Sequence, residues 1–197
     1  MNNEHLFQLI NAAPGLGALQ LGLAIAVARW VIYLVPLTMT IAWVRGDHAA
    51  RRQLLQMLLA ALIALGFAQI VTHIWPQPRP FALHIGTQYL SHGTDPGLPS
   101  DHVTVFWSLA LAALSTRRFA VWGCPLLAAG LVVGCARVYL GVHFPFDVLG
   151  ALPVALAGAV VAQGLKRPVL PVFARILYLY DQLAHRVNLK PGPPRKA

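Results

Sequence analysis

Five apolar stretches, almost free of formal charge, constrain this chain more than any other feature. They run roughly from Leu19 to Val44, Leu54 to Trp75, Ser100 to Ser115, Phe119 to Ala136 and Phe146 to Leu165. Arg29, Asp101 and Asp147 are their only charged residues. A helix needs about 20 mainly apolar residues to cross a bilayer. The third stretch, with about 16 residues, would be near 24 Å long as a helix. Of the 197 residues, 57% are hydrophobic and 11% charged, against roughly 45–50% and 25% in soluble domains. The pattern predicts an all-α, polytopic transmembrane helix bundle with five clear spans. Residues 5–13, ended by Pro14-Gly15, form a short amphipathic segment, too short to span, so the count is five with six as the alternative.

A formal net charge of +9, from 15 Lys and Arg against 6 Asp and Glu, fits two classes: a basic nucleic-acid binder, or a membrane protein with its cations on one side. Their positions decide. Arg45, Arg51, Arg52, Arg117, Arg118, Lys166 and Arg167 fall in three junctions on one side of a five-span topology. Arg175, Arg186, Lys190, Arg195 and Lys196 follow in the tail on that same side. The positive-inside rule makes this side cytoplasmic. The opposite connections, 76–99 and about 137–145, hold only Arg79 and Arg137. The expected location is therefore a plasma membrane, crossed several times, with the C-terminus cytoplasmic. No basic patch is interleaved with aromatics, so no nucleic-acid partner is expected.

The chain divides at residue 167 into a transmembrane domain, 1–167, and a cytoplasmic segment, 168–197. In the latter, Val172, Phe173, Ile176, Leu177, Tyr180, Leu183, Ala184 and Val187 recur at helical spacing. This reads as an amphipathic helix, either lying in the cytoplasmic interface or packed on the bundle. Pro191-Gly192-Pro193-Pro194 would end it and leave a disordered basic tip. The N-terminus lacks the cationic region of a signal peptide. Cys124 and Cys135, in one apolar run, would lie about 16 Å apart along a helix, beyond the roughly 7 Å reach of a disulfide. Gly130 and Gly134 form a small-residue pair that marks close packing within the bundle or between copies; oligomeric state is open.

Chemistry concentrates on the cation-poor side. Pro76-Gln77-Pro78-Arg79-Pro80-Phe81 stiffens the exit of the second stretch around one guanidinium, a group suited to bidentate phosphate contact. Pro99-Ser100-Asp101-His102 opens the third. Ser100 suits a helix N-cap, and a helix N-terminus presents free N–H groups to an anion. Asp101 reads as a helix-start carboxylate, and His102 as a proton donor. In Arg137-Val138-Tyr139-Leu140-Gly141-Val142-His143-Phe144-Pro145-Phe146-Asp147, residues His143 and Asp147 stand four apart across a helix start. A carboxylate on one imidazole nitrogen makes the other a better nucleophile or base; a buried pair joining two helices is the structural alternative.

Together the clusters resemble the tripartite signature of the type 2 phosphatidic acid phosphatase superfamily: Lys, six residues, Arg-Pro; Pro-Ser-Gly-His; and Ser-Arg, five residues, His, three residues, Asp. Arg79-Pro80, Pro99-Ser100 with His102, and Arg137, His143 and Asp147 match in order and spacing. Thr72 stands where the signature has Lys, Asp101 where it has Gly, and Ala136 where it has Ser. The Pro-Ser-Asp-His variant is most similar to bacterial undecaprenyl pyrophosphate phosphatases of the bacitracin-resistance type.

The resemblance implies a metal-independent lipid phosphatase without cofactor, its site facing outward. His143 would be the nucleophile, Asp147 its orienting carboxylate and His102 the acid and base. Arg79, Arg137 and Ser100 would bind phosphate, with Asp101 and His73 as auxiliaries. The expected partner is a polyprenyl pyrophosphate, or another phospholipid, within the membrane lipids. Phosphatidylglycerol phosphate or phosphatidate hydrolysis, lipid phosphotransfer, and a non-enzymatic transporter remain as alternatives. His84, His92 and Asp95 could mimic a metal site, but no metal is expected.

Overall fold

The computed structural model describes residues 2–186; the predicted Pro-Gly-Pro-Pro terminus and basic tip lie outside them. Every regular element among the described residues is helical. In chain order they are α1 (Asn3–Ile10), α2 (Ala18–Arg45), α3 (His48–Ile74), α4 (Asp101–Leu114), α5 (Gly123–Tyr139), α6 (Pro145–Gly164) and α7 (Leu170–Arg186). Helices α2, α3, α5 with its preceding turn, and α6 are long and apolar enough to cross a bilayer. Helix α4 is apolar but shorter, with 14 residues, or about 21 Å against a hydrocarbon core of about 30 Å.

Helix α4 is the hub: α3, α5 and α6 all pack on it, and α3 also packs along α6. Small residues make this closeness feasible. Ala60, Ala64 and Ala68 of α3 are wholly buried, as are Ala151 and Ala155 of α6. A Cβ at Gly158 would sit 2.6 Å from the Ala64 Cβ. The predicted small-residue pair on α5 also faces inward: a Cβ at Gly130 would meet the Trp107 ring at 2.7 Å, and one at Gly134 the Val148 side chain at 2.7 Å. Overpacking of this kind costs about 1–3 kcal/mol or more. Gly134→Leu is therefore expected to lower the thermal midpoint in detergent by several degrees, whereas Gly66→Leu, with nothing within 4 Å of its Cβ position, should leave it within error.

Helix α1 is not a sixth span. It lies across the end of the bundle where α5 stops and α6 starts. Its Phe7 is wholly buried, edge-on to Phe144 with centroids 5.3 Å apart. Asn3 accepts from the Phe146 N–H at 3.0 Å, and Asn11 bridges Thr87 and Tyr139. At the opposite end α7 docks as well as presenting apolar surface: Phe173, Leu177 and Ala184 are buried, while Val172, Leu179 and Leu183 are exposed. Its anchor is Arg51, almost wholly buried. The guanidinium donates to the Trp43 carbonyl at 2.9 Å and to the Tyr180 hydroxyl at 3.4 Å. One cation of the predicted cytoplasmic set thus serves packing.

Helix α2 is the outlying span. A π turn, Ala26–Trp30, and a 3-10 turn, Val31–Tyr33, interrupt it. Ala28 and Val35 are its only buried residues. Arg29 is exposed, its guanidinium 5.4 Å from the Trp30 ring.

Candidate active site

Three chain segments converge on one end of α4. Arg79, between two prolines, has extended backbone (φ −75°, ψ 158°), and Pro80 opens a 3-10 turn, Pro80–Leu83. The side chain points back into protein and is 4% exposed. Its Nε–H donates to the Asp95 carbonyl (2.8 Å), Nη2 to the Asp95 carboxylate (2.7 Å) and the Pro96 carbonyl (3.3 Å), and Nη1 to the Val142 carbonyl (3.0 Å). The remaining Nη1 hydrogen faces His143 Nε2 at 3.2 Å. The Val142 carbonyl follows a left-handed Gly141 (φ +79°), a position where a Cβ would also lie 3.0 Å from the Gln88 Cα.

His143 and Asp147 are each 2% exposed. His143 Nδ1 lies 3.2 Å from Asp147 Oδ2, the oxygen that also accepts the Phe144 N–H at 2.8 Å. Pro145 and Asp147 thus start α6 as a helix N-terminus favours, and the same carboxylate orients the imidazole. With Nδ1–H directed at Asp147, the Nε2 lone pair faces Arg79. Burial, then the nearby Arg137 and Arg79 charges, holds His143 well below the ordinary histidine range, so at neutral pH the ring is uncharged.

The sign of that shift makes a testable statement. As pH falls through about 6.5, the unfolded chain binds a proton that folded His143 refuses, so stability drops with falling pH. The expected result is a lower melting temperature at about pH 5 than at pH 7, by a margin that shrinks in His143→Asn. No such shrinkage would show that His143 does not titrate in this way.

Ser100 joins the second segment to the third: its N–H donates to the Asp147 carbonyl at 3.0 Å. It occupies the N-cap position of α4, yet its hydroxyl makes no capping bond. Ser100 Oγ is buried without a partner, as are Thr104 Oγ1 one turn on and Arg137 Nε. Unpaired buried polar atoms cost about 1–3 kcal/mol each, and a phosphate oxygen would satisfy them. Arg137 is 3% exposed. Its Nη1 donates to the Ala28 carbonyl at 3.2 Å and lies 3.5 Å from His102 Nε2. The π turn of α2 thus provides an acceptor that aims Arg137, a use often found for π turns at functional sites.

The predicted His143, Asp147, Arg79, Ser100, Arg137 and His102 therefore gather at one end. Asp101 is exposed beside them. His73 is exposed and makes no hydrogen bond among the described residues, so the geometry brings it no closer to a phosphate-binding role. Thr72, at the lysine position, donates instead to the Leu98 carbonyl at 2.9 Å, pinning the loop ahead of Ser100. Among the described residues no group of three or more His, Cys, Asp or Glu is placed to hold a metal ion. His84 is exposed in a left-handed turn.

Residues 92–97 have contacts at the site that sequence reading did not assign to them. Asp95 clasps Arg79, and the His92 ring stands edge-on to His143 with centroids 6.4 Å apart. Gly97 fits where nothing larger would: a Cβ there would lie 2.8 Å from Asp147 Oδ2 and 3.3 Å from Arg79 Cγ. Gly97→Ala is expected to cut kcat/KM about tenfold, the cost of roughly 1.4 kcal/mol, with little change in KM. Wild-type turnover in this variant would show that Arg79 and Asp147 tolerate displacement.

A helical membrane bundle that buries a His–Asp pair with two arginines at one end has the parts of a phosphate-transferring enzyme. Comparison with known proteins places it. Residues 53–167 match the PAP2 superfamily. The protein named "Putative undecaprenyl-diphosphatase YbjG" of Escherichia coli (strain K12) is 38% identical over 162 residues, covering 82% of this chain and 81% of YbjG. The undecaprenyl-diphosphatase BcrC of Bacillus subtilis (strain 168) is 25% identical over 189 residues, 96% of this chain and 97% of BcrC. The crystal structure of Aquifex aeolicus LpxE shares the fold, with a TM-score of 0.66 at 19% identity, covering 81% of this chain and 93% of that one. The chain belongs to the PAP2 superfamily, and it is a membrane phosphatase of that family.

Proposed function

We propose that the chain hydrolyses undecaprenyl pyrophosphate to undecaprenyl phosphate and inorganic phosphate at the outer face of the plasma membrane, through a phosphohistidine. The observation that carries this reading is the buried His143–Asp147 pair, set among two arginines and the unpartnered Ser100 hydroxyl. The names of the relatives supply the lipid. The placement of most Lys and Arg at the end opposite the site supplies the orientation.

In the first step the His143 Nε2 lone pair attacks the terminal phosphorus in line. The N–P bond forms as the bridging P–O bond breaks, and His102 gives a proton to the departing lipid phosphate. Asp147 stabilises the positive charge that grows on the ring. Arg79, Arg137 and Ser100 hold the equatorial oxygens. In the second step His102 takes a proton from water, the oxygen attacks phosphorus, and the N–P bond breaks to release phosphate and restore His143. These roles need only nitrogen and oxygen donors that the chain itself provides.

Purified protein in lipid, assayed with undecaprenyl pyrophosphate, phosphatidylglycerol phosphate and phosphatidate, tests the substrate. The expected ranking puts the pyrophosphate first, with activity unchanged by EDTA. A preference for either glycerolipid would replace the substrate assignment, transfer to a lipid acceptor would make the chain a phosphotransferase, and complete loss in EDTA would overturn the metal-free mechanism.

A further inference from the structure

We propose that His92 is a phosphate-contacting residue, whose Nε2 binds an oxygen of the phosphate seated against His143 and supplies the cationic partner that Thr72 does not. The proposal rests on the reading of this cluster as a phosphatase site. Three observations carry it. First, the lysine position of the signature is spent: Thr72 is tied to the Leu98 carbonyl. Second, Arg79 brings less charge than its position suggests, because Asp95 already pairs with it at 2.7 Å. The two-arginine site is thus short of positive charge for a polyanion. Third, His92 is placed to make up the deficit. Its side chain is 25% exposed and its ring is edge-on to that of His143 at 6.4 Å, so a phosphoryl group on His143 comes within reach of the His92 ring.

The bonding of His92 leaves one nitrogen open for this. Nδ1 faces the Gly93 carbonyl at 3.2 Å and Asp95 Oδ1 at 3.5 Å. Both are acceptors, so Nδ1 carries a hydrogen. Nε2 has no protein partner among the described residues. To donate to a phosphate oxygen it must bind a proton. The charged and titratable groups around it are Arg79, Arg137 and Asp95, with His143, His102 and Asp101. Burial, and then the Arg79 charge, hold His92 below the ordinary histidine range. An arriving phosphate offsets the two arginines and puts an anion on the Nε2 edge, with Asp95 on the Nδ1 edge. Phosphate binding thereby draws a proton onto His92.

The test is calorimetric titration of inorganic phosphate into the purified protein in detergent, repeated in buffers of different ionisation enthalpy. It compares wild type, His92→Ala and His92→Gln. The expected result is a roughly tenfold loss of phosphate affinity in His92→Ala, a smaller loss in His92→Gln, and about one proton fewer taken up on binding by either variant than by wild type. Unchanged affinity in His92→Ala, weakened affinity with an unchanged proton count, or no phosphate binding by wild type would each overturn the proposal. Turnover of undecaprenyl pyrophosphate by wild type, with its loss in His143→Ala, separately reads the phosphatase assignment, so the failure of one is distinguishable from the failure of the other.

Discussion

His143→Ala is expected to abolish phosphate release, by no less than about 10⁴-fold in kcat, while the protein stays folded. Removing a covalent nucleophile leaves only the binding and electrostatic parts of catalysis, and in comparable constellations losses of roughly 10⁴ to 10⁶ follow. The geometry argues for the upper part of that range. Asp147 Oδ2 fixes the ring by Nδ1, and the bundle buries both residues, so the position of the reacting nitrogen is set by contacts that alanine cannot make. The matching observation is covalent. Rapid acid-free quench of the wild type with terminally labelled substrate should leave label on protein, in a bond stable to alkali and labile to acid, and His143→Ala should show none. A variant that retained activity or labelling would remove His143 from the role of nucleophile.

His102→Ala is expected to produce the second largest loss, of a size that depends on the leaving group. General acid–base catalysis contributes about 10²–10⁴-fold. An alkoxide, the leaving group of a lipid monophosphate such as phosphatidate, departs poorly without protonation, so that substrate should lose nearly the whole factor. A lipid phosphate leaving a pyrophosphate is a far weaker base, with a pKa of about 6, and needs less help. With the pyrophosphate the first step should be less impaired while water attack remains slow, and phosphoenzyme should accumulate. Equal losses with both substrates and no accumulation would show that His102 acts only by holding Arg137, whose Nη1 is 3.5 Å from its Nε2.

The parts of the site that were legible in the sequence are those set by short-range spacing. His143 and Asp147 meet because four residues make one helical turn, and the prolines on either side of Arg79 constrain its backbone. The four long apolar helices and the shortness of α4 followed from hydropathy alone. Other parts depend on contacts between distant segments. The pairing of Arg79 with Asp95 crosses an irregular loop that has no period to read. Ser100 was legible as an N-cap, but that its hydroxyl would stay unused depends on what the neighbouring segments leave empty. The π turn of α2 sits in an apolar run with nothing to mark it except Arg29, which faces away from the site. The need for Gly97 appears only when Arg79 and Asp147 are both in place.

That π turn has a mechanical consequence. Arg137 takes its direction from the Ala28 carbonyl, on the helix with the least support from the rest of the protein. What holds such a helix at its angle is chiefly the surrounding lipid, because tilt adjusts when hydrophobic length and hydrocarbon thickness disagree. The thickness of the membrane therefore bears on the aim of one guanidinium through the tilt of a single helix.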